Sequence, residues 1–79
     1  MNTVDQVIYL LQELVDDATT PRGVQQKLTA SIKILQEQGA LPVNISKLMH
    51  EIEEITDETN LPSFARTQLF NVAGLLETF

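Results

Sequence analysis

The sequence predicts an all-α protein, a compact antiparallel four-helix bundle built from two similar helical hairpins. Three observations point there. Apolar residues recur at the i, i+3, i+4 spacing of a helical face through four runs. Three prolines, Pro21, Pro42 and Pro62, divide those runs into segments of similar length. Finally, Asp16-Asp17-Ala18-Thr19-Thr20-Pro21 has a counterpart in Asp57-Glu58-Thr59-Asn60-Leu61-Pro62, 41 residues further on, and the same offset aligns Leu14 with Ile55, Leu28 with Leu69 and Leu35 with Leu76. A turn written twice at this spacing reads as a repeated helical hairpin of HEAT-type size. A solenoid needs about three repeats to bury a continuous core. Two are therefore expected to close on each other, giving one domain over residues 1–79 with helices at about 3–18, 21–38, 42–57 and 62–78.

The first helix opens on a capping box. Thr3 with Gln6 fits the pattern, and Asn2 with Asp5 is an alternative one residue earlier. Val4, Val7, Ile8, Leu11, Leu14, Val15 and Ala18 then mark its inward face, with Tyr9 opposite and Leu10 on the flank. Asp16 and Asp17 fall where the macrodipole disfavours negative charge, so another group must hold them. The start of the second helix can do so. With Thr20 as its cap and Pro21 at its first position, the N–H groups of Arg22, Gly23 and Val24 can face those carboxylates, and Arg22 can add an ion pair.

The second helix is expected to bury Val24, Leu28, Ser31, Ile32 and Leu35, leaving Ile34 off the stripe, and to end at Gly39 in a left-handed conformation. In the third, Ile45, Leu48, Met49, Ile52 and Ile55 form the inward row, while Lys47, His50, Glu51, Glu53, Glu54 and Asp57 cover the rest. The fourth turns Ala65, Leu69, Val72, Ala73 and Leu76 inward but also carries Phe64, Phe70, Leu75 and Phe79 outside that stripe. Apolar residues on most sides of one helix mark it as central to the fold or as a contact with a second molecule. These four residues are the candidate interface, and a homodimer is the expected use. Arg66, one turn inside this helix, is placed to pair with Asp57 or Glu58 across the turn. Asp16, Asp17, Arg22, Asp57, Glu58 and Arg66 thus form the expected turn ion pairs, and a screened pair at Arg66 would contribute no more than about 1 kcal/mol.

Composition narrows the function. Eleven acidic against five basic residues leave a net charge of −6, which opposes nucleic-acid binding by phosphate neutralisation. Arg22, Lys27 and Lys33 share a helix, but Lys27 points away from the other two. The chain has no cysteine, which suits a cytoplasmic setting and rules out disulfides and thiolate metal sites. Its longest apolar stretch, Val7 to Leu11, is far below the ~20 residues of a membrane span, and no basic segment of a signal peptide precedes it.

Chemistry has little to work with. His50 is the single histidine, and His50-Glu51-Ile52-Glu53-Glu54 resembles the start of a zinc-protease motif without the second histidine. His50, Glu53 and Asp57 share a helix face, yet three ligands on one helix without supporting groups make a weak site, and a solvated acidic face is the plainer expectation. A di-iron bundle would need Glu-x-x-His pairs, and position 47 is lysine. No serine or threonine has a base organised beside it in the sequence, and Gly23, Gly39 and Gly74 are isolated. No catalytic residue, cofactor or metal is expected.

The turn Leu14-Val15-Asp16-Asp17-Ala18-Thr19-Thr20-Pro21-Arg22 and the segment Ile55-Thr56-Asp57-Glu58-Thr59-Asn60-Leu61-Pro62-Ser63-Phe64-Ala65-Arg66-Thr67, followed by Phe70-Asn71-Val72, resemble the two signature stretches of a small archaeal group, uncharacterised protein family 0147. That resemblance implies a compact four-helix fold and brings no activity, cofactor or catalytic residue with it. The function expected is a non-enzymatic helical protein–protein interaction module that self-associates. The alternative is an acidic regulator of a nucleic-acid system that acts by phosphate mimicry.

Overall fold

Asn2 opens the first helix. Its side-chain carbonyl accepts the N–H of Asp5 at 2.8 Å, satisfying one of the donors a helix start leaves unpaired. Of the two capping pairs, the one beginning at Asn2 is therefore the one that caps. The structure, a computed structural model, describes residues 2–58 and 60–79. Among these the regular elements are α1 (Thr3–Asp16), α2 (Arg22–Gln38), α3 (Pro42–Thr56) and α4 (Ser63–Leu76), with no strand. Thr59, part of the second turn motif, lies outside the described residues.

Helix α1 stops two residues short of its expected end. The backbone of Asp17 swings to an extended conformation, φ −81° and ψ 123°, so Ala18 leaves the inward face and is exposed. Helix α2 starts one residue later than expected. Pro21 is extended at ψ 143° and stands in the cap position, with its carbonyl accepting the first helical bond, from the Gln25 N–H at 2.9 Å. Thr20 therefore cannot cap. It turns inward, is 4 % exposed, and its hydroxyl has no hydrogen-bond partner among the described residues. Pro62 stands in the same relation to α4, which begins at Ser63 and ends at Leu76, two residues before the expected end.

Gly39 closes α2 with φ +73° and ψ −164°. The positive φ is the one expected, but the ψ places the residue in the mirror-image extended region, which is open essentially to glycine alone. That geometry directs the chain through Ala40 into Leu41, the cap of α3, and Pro42 takes the first helical position of α3.

Among the described residues, sixteen apolar side chains are buried in one cluster drawn from all four helices and Leu61. The cluster takes Val7, Leu11 and Leu14 from α1, Val24, Leu28, Ile32 and Leu35 from α2, Ile45, Leu48, Ile52 and Ile55 from α3, and Ala65, Leu69, Val72 and Leu76 from α4. Val4, Ile8, Val15, Met49 and Ala73, expected inside, pack only at its edge. Contacts run around a ring, α1 on α2, α2 on α3, α3 on α4 and α4 on α1, with none across the diagonals among the described residues. The tightest side is α1 with α2 and the loosest is α2 with α3. The result is a globule of 30 × 20 × 19 Å.

Position 20 offers a direct check on the core. A buried hydroxyl without a partner costs free energy that a methyl group of the same shape does not. Thr20→Val should raise stability in urea by about 1 kcal/mol, and a loss on this substitution would show that the hydroxyl is bonded in solution.

Candidate functional site

The two turns and their flanks carry six of the expected site residues. At the C-terminus of α1 the unpaired carbonyls are taken by an amide: Gln25 Nε2 donates to the carbonyl of Val15 at 3.0 Å and to that of Asp17 at 3.1 Å. At the C-terminus of α3 an arginine does the same. Arg66 Nε donates to the carbonyl of Thr56 at 3.2 Å and Nη2 to that of Glu58 at 2.7 Å. Donors and acceptors in the two turns correspond at the 41-residue offset of the prolines. So do the backbone bonds, with Asp17 N–H to Leu14 matched by Glu58 N–H to Ile55, and Thr20 N–H to Asp17 by Leu61 N–H to Glu58.

The expected ion pairs do not form. Ion pairs among the described residues are limited to Lys33 with Glu37 at 3.9 Å and His50 with Glu54 at 2.9 Å, both along exposed helix surfaces. Arg66 bonds the Glu58 backbone in preference to its carboxylate, because a guanidinium fork at a helix C-terminus meets carbonyls that have no other donor. Arg22 is exposed and pairs with neither Asp16 nor Asp17. Asp16 accepts from Gln12 Nε2 at 3.0 Å. Asp17 does not face the start of α2 either. Its carboxylate accepts the Thr19 hydroxyl at 2.6 Å and the Thr19 N–H at 2.8 Å, and these two bonds, the hydroxyl first, hold its pKa below the ordinary carboxylate value against a small opposing effect of desolvation. Asp57 lies exposed just beyond α3.

The candidate interface splits. Phe64, Phe70 and Phe79 are 53 %, 62 % and 51 % exposed, whereas Leu75 is half-buried against the chain's own core. At 100° per residue, Phe64 and Leu75 fall on the side of α4 nearest α1, where Gln68 Nε2 reaches the Leu10 carbonyl at 2.7 Å. Phe70 falls toward α3, where Arg66 bonds. Between them lie Ser63, Thr67, Asn71 and Gly74, all exposed and all uncharged.

His50 bonds Glu54 and does not converge with Glu53 and Asp57; among the described residues no group of three or more such side chains could hold a metal ion. It lies at the rim of something the sequence did not announce, a trough of about 590 Å³ between α2 and α3. Leu35, Leu48 and the buried Ser31 and Asn44 line its floor, and Lys27, Lys47 and Glu51 its edges. Gln25, Gln68, Asn44 and this trough escape pattern reading because a polar side chain on an apolar face looks the same whether it is solvated or bonded to a neighbouring helix. The 41-residue offset that pairs Gln25 with Arg66 was the one available signal.

Comparison with known proteins adds a family. The model of an uncharacterised protein family (UPF0147) matches residues 1–79. A UPF0147 protein of Saccharolobus islandicus is 34 % identical over 76 residues, covering 95 % of this chain and 85 % of the relative. One from Thermoplasma volcanium is 32 % identical over 77 residues, covering 96 % and 86 %. The crystal structure of a protein from the same uncharacterised family from Thermoplasma acidophilum superimposes with a TM-score of 0.88 at 31 % identity, covering 98 % of this chain and 92 % of that one.

Two outcomes test the turns. Arg66→Ala should lower stability in urea by about 2 kcal/mol, above the value for a screened surface pair, while Arg66→Gln should recover more than half, since glutamine serves the first turn; equal losses in both would refute the shared bonding role. For Asp17, the Thr19 donors favour the charged form, so their contribution is present above the ordinary carboxylate pKa and fades as pH falls through the lowered one. Thr19→Ala, which removes the hydroxyl donor and keeps the N–H, should move the Asp17 pKa upward toward the ordinary carboxylate value in an NMR titration without restoring it fully.

Proposed function

The chain belongs to the uncharacterised protein family UPF0147, and from that premise we propose that it is a non-enzymatic helical interaction module which pairs with a second copy of itself through the outer face of α4. One observation carries this reading. From Ser63 to Leu76 the single charged residue is Arg66, and its guanidinium is engaged on the carbonyls that end α3. An exposed helix face with two aromatic rings and no available charge has the composition of an interface centre, where aromatics are enriched and charges depleted. Phe64 and Phe70 are its anchors. Leu75 and Phe79 extend it at the C-terminal end.

We read the four helices as two antiparallel hairpins, α1 with α2 and α3 with α4, each a HEAT-like unit. The corresponding bonds at the two turns support this arrangement. Phosphate mimicry gains less support. Among the acidic side chains, Asp16 is bonded to Gln12, Asp17 to Thr19 and Glu54 to His50, leaving fewer carboxylates free to stand in a row of phosphates. An enzymatic role finds no support at His50, which is exposed and has one carboxylate beside it.

Sedimentation equilibrium should give a concentration-dependent mass approaching twice that of the chain. Phe64→Glu and Phe70→Glu, at exposed positions that leave the core intact, should each weaken pairing by about 2 kcal/mol, or roughly thirtyfold. A wild-type mass that stays monomeric into the millimolar range would overturn the proposal.

A further inference from the structure

We propose that the trough between α2 and α3 is a docking groove for an acidic amphipathic helix of another protein. Its shape comes from two helical rows. On α2, Gly23, Lys27, Ala30 and Ile34 follow one another at successive turns, and on α3 Asn44, Lys47 and Glu51 do the same. The α2 row and the neighbouring Leu35 span about 18 Å at 1.5 Å per residue, the length of roughly three helical turns. A long, open channel bounded by two helices suits a third helix laid along it, with anchors at i, i+3/i+4 and i+7. Small side chains at Gly23, Ala30 and Ser31 keep it open, and Ile34, which is 37 % exposed, together with Leu35 and Leu48 makes it apolar.

Charge selects the occupant. Lys27 and Lys47 line the trough against the single carboxylate of Glu51, on a protein whose net charge is −6. Of the other basic residues, Lys33 is paired with Glu37, Arg66 is bonded to carbonyls and Arg22 lies outside the trough lining, whereas Lys27 and Lys47 line it and form no ion pair among the described residues. The lining therefore carries an excess of one positive charge on an acidic protein, and its complement is an acidic helix with an apolar stripe. A second copy of this chain does not supply one. The apolar stripes of its acidic helices are buried in the core, and the exposed face of α4 carries no acid between Ser63 and Leu76.

The test uses synthetic peptides of about five helical turns, one with a leucine stripe flanked by glutamates and one with lysines in their place, titrated into the labelled full chain by NMR. The glutamate peptide should produce saturable shifts at Gly23, Ala30, Ile34 and Lys47 and bind at least about tenfold tighter than the lysine peptide, the difference that complementary charge confers. The double variant Lys27→Glu/Lys47→Glu should invert that preference, and Ala30→Phe, which fills the channel, should abolish binding of the glutamate peptide without lowering the melting temperature. Equal affinities, no saturable shift, or shifts confined to α4 would overturn the proposal. So would a result in which decanoate moves the groove amides and the glutamate peptide does not, since that would make the site one for a small amphiphilic acid.

Discussion

A helix end leaves carbonyls that must find donors, and a pair of partly buried side-chain bonds at each of the two turns meets that requirement here. Gln25 covers the carbonyls of Val15 and Asp17, and Arg66 covers those of Thr56 and Glu58. Each donor sits one turn inside the following helix, so the bond fixes where that helix lies against the one before it. Once the helices are set, their apolar rows face each other. The chemistry differs, an uncharged amide in one turn and a cation in the other, yet both reach two acceptors with one side chain. Geometry at these turns outranks charge.

The same economy explains what the acidic residues do. Carboxylates cluster at both turns, but they are not the partners of the nearby arginines. Asp17 accepts from Thr19 just beyond the end of α1, Asp16 is held by Gln12, and Arg66 bonds the backbone of the acidic turn before it. The acidity of the protein is thus a property of its solvent-facing surface and of turn geometry. Its positive groups are few, and two of them meet in a single place.

That place exists because the ring of helices is uneven. Large side chains from α1 and α2 interlock, and Leu11, Leu14 and Leu28 are fully enclosed. On the opposite side of α2, Gly23, Ala30 and Ser31 offer little bulk to α3, and the two helices share their fewest contacts. The trough is the space that small residues leave. Helix α4 shows the converse, presenting Phe64 and Phe70 to solvent while Ala65 and Gln68 face inward. Bulk and smallness are distributed so that one surface of this domain exposes aromatic rings and another holds a trough.

Much of this was legible in the residues. The four helices, their proline boundaries and nearly every buried aliphatic follow from spacing alone, because burial of one face at 3.6 residues per turn leaves a periodic mark. The offset that aligns Pro21 with Pro62 also aligns the donors that hold the turns. What the sequence could not express is which polar atom meets which. Thr20 reads as a cap and is a buried side chain; Arg66 reads as half of an ion pair and is a ligand for carbonyls; Lys27 reads as a stray charge and stands across a groove from Lys47. Periodicity records how each helix divides between oil and water. Hydrogen bonds and grooves belong to pairs of helices, and residues distant along the chain become neighbours only when the ring closes.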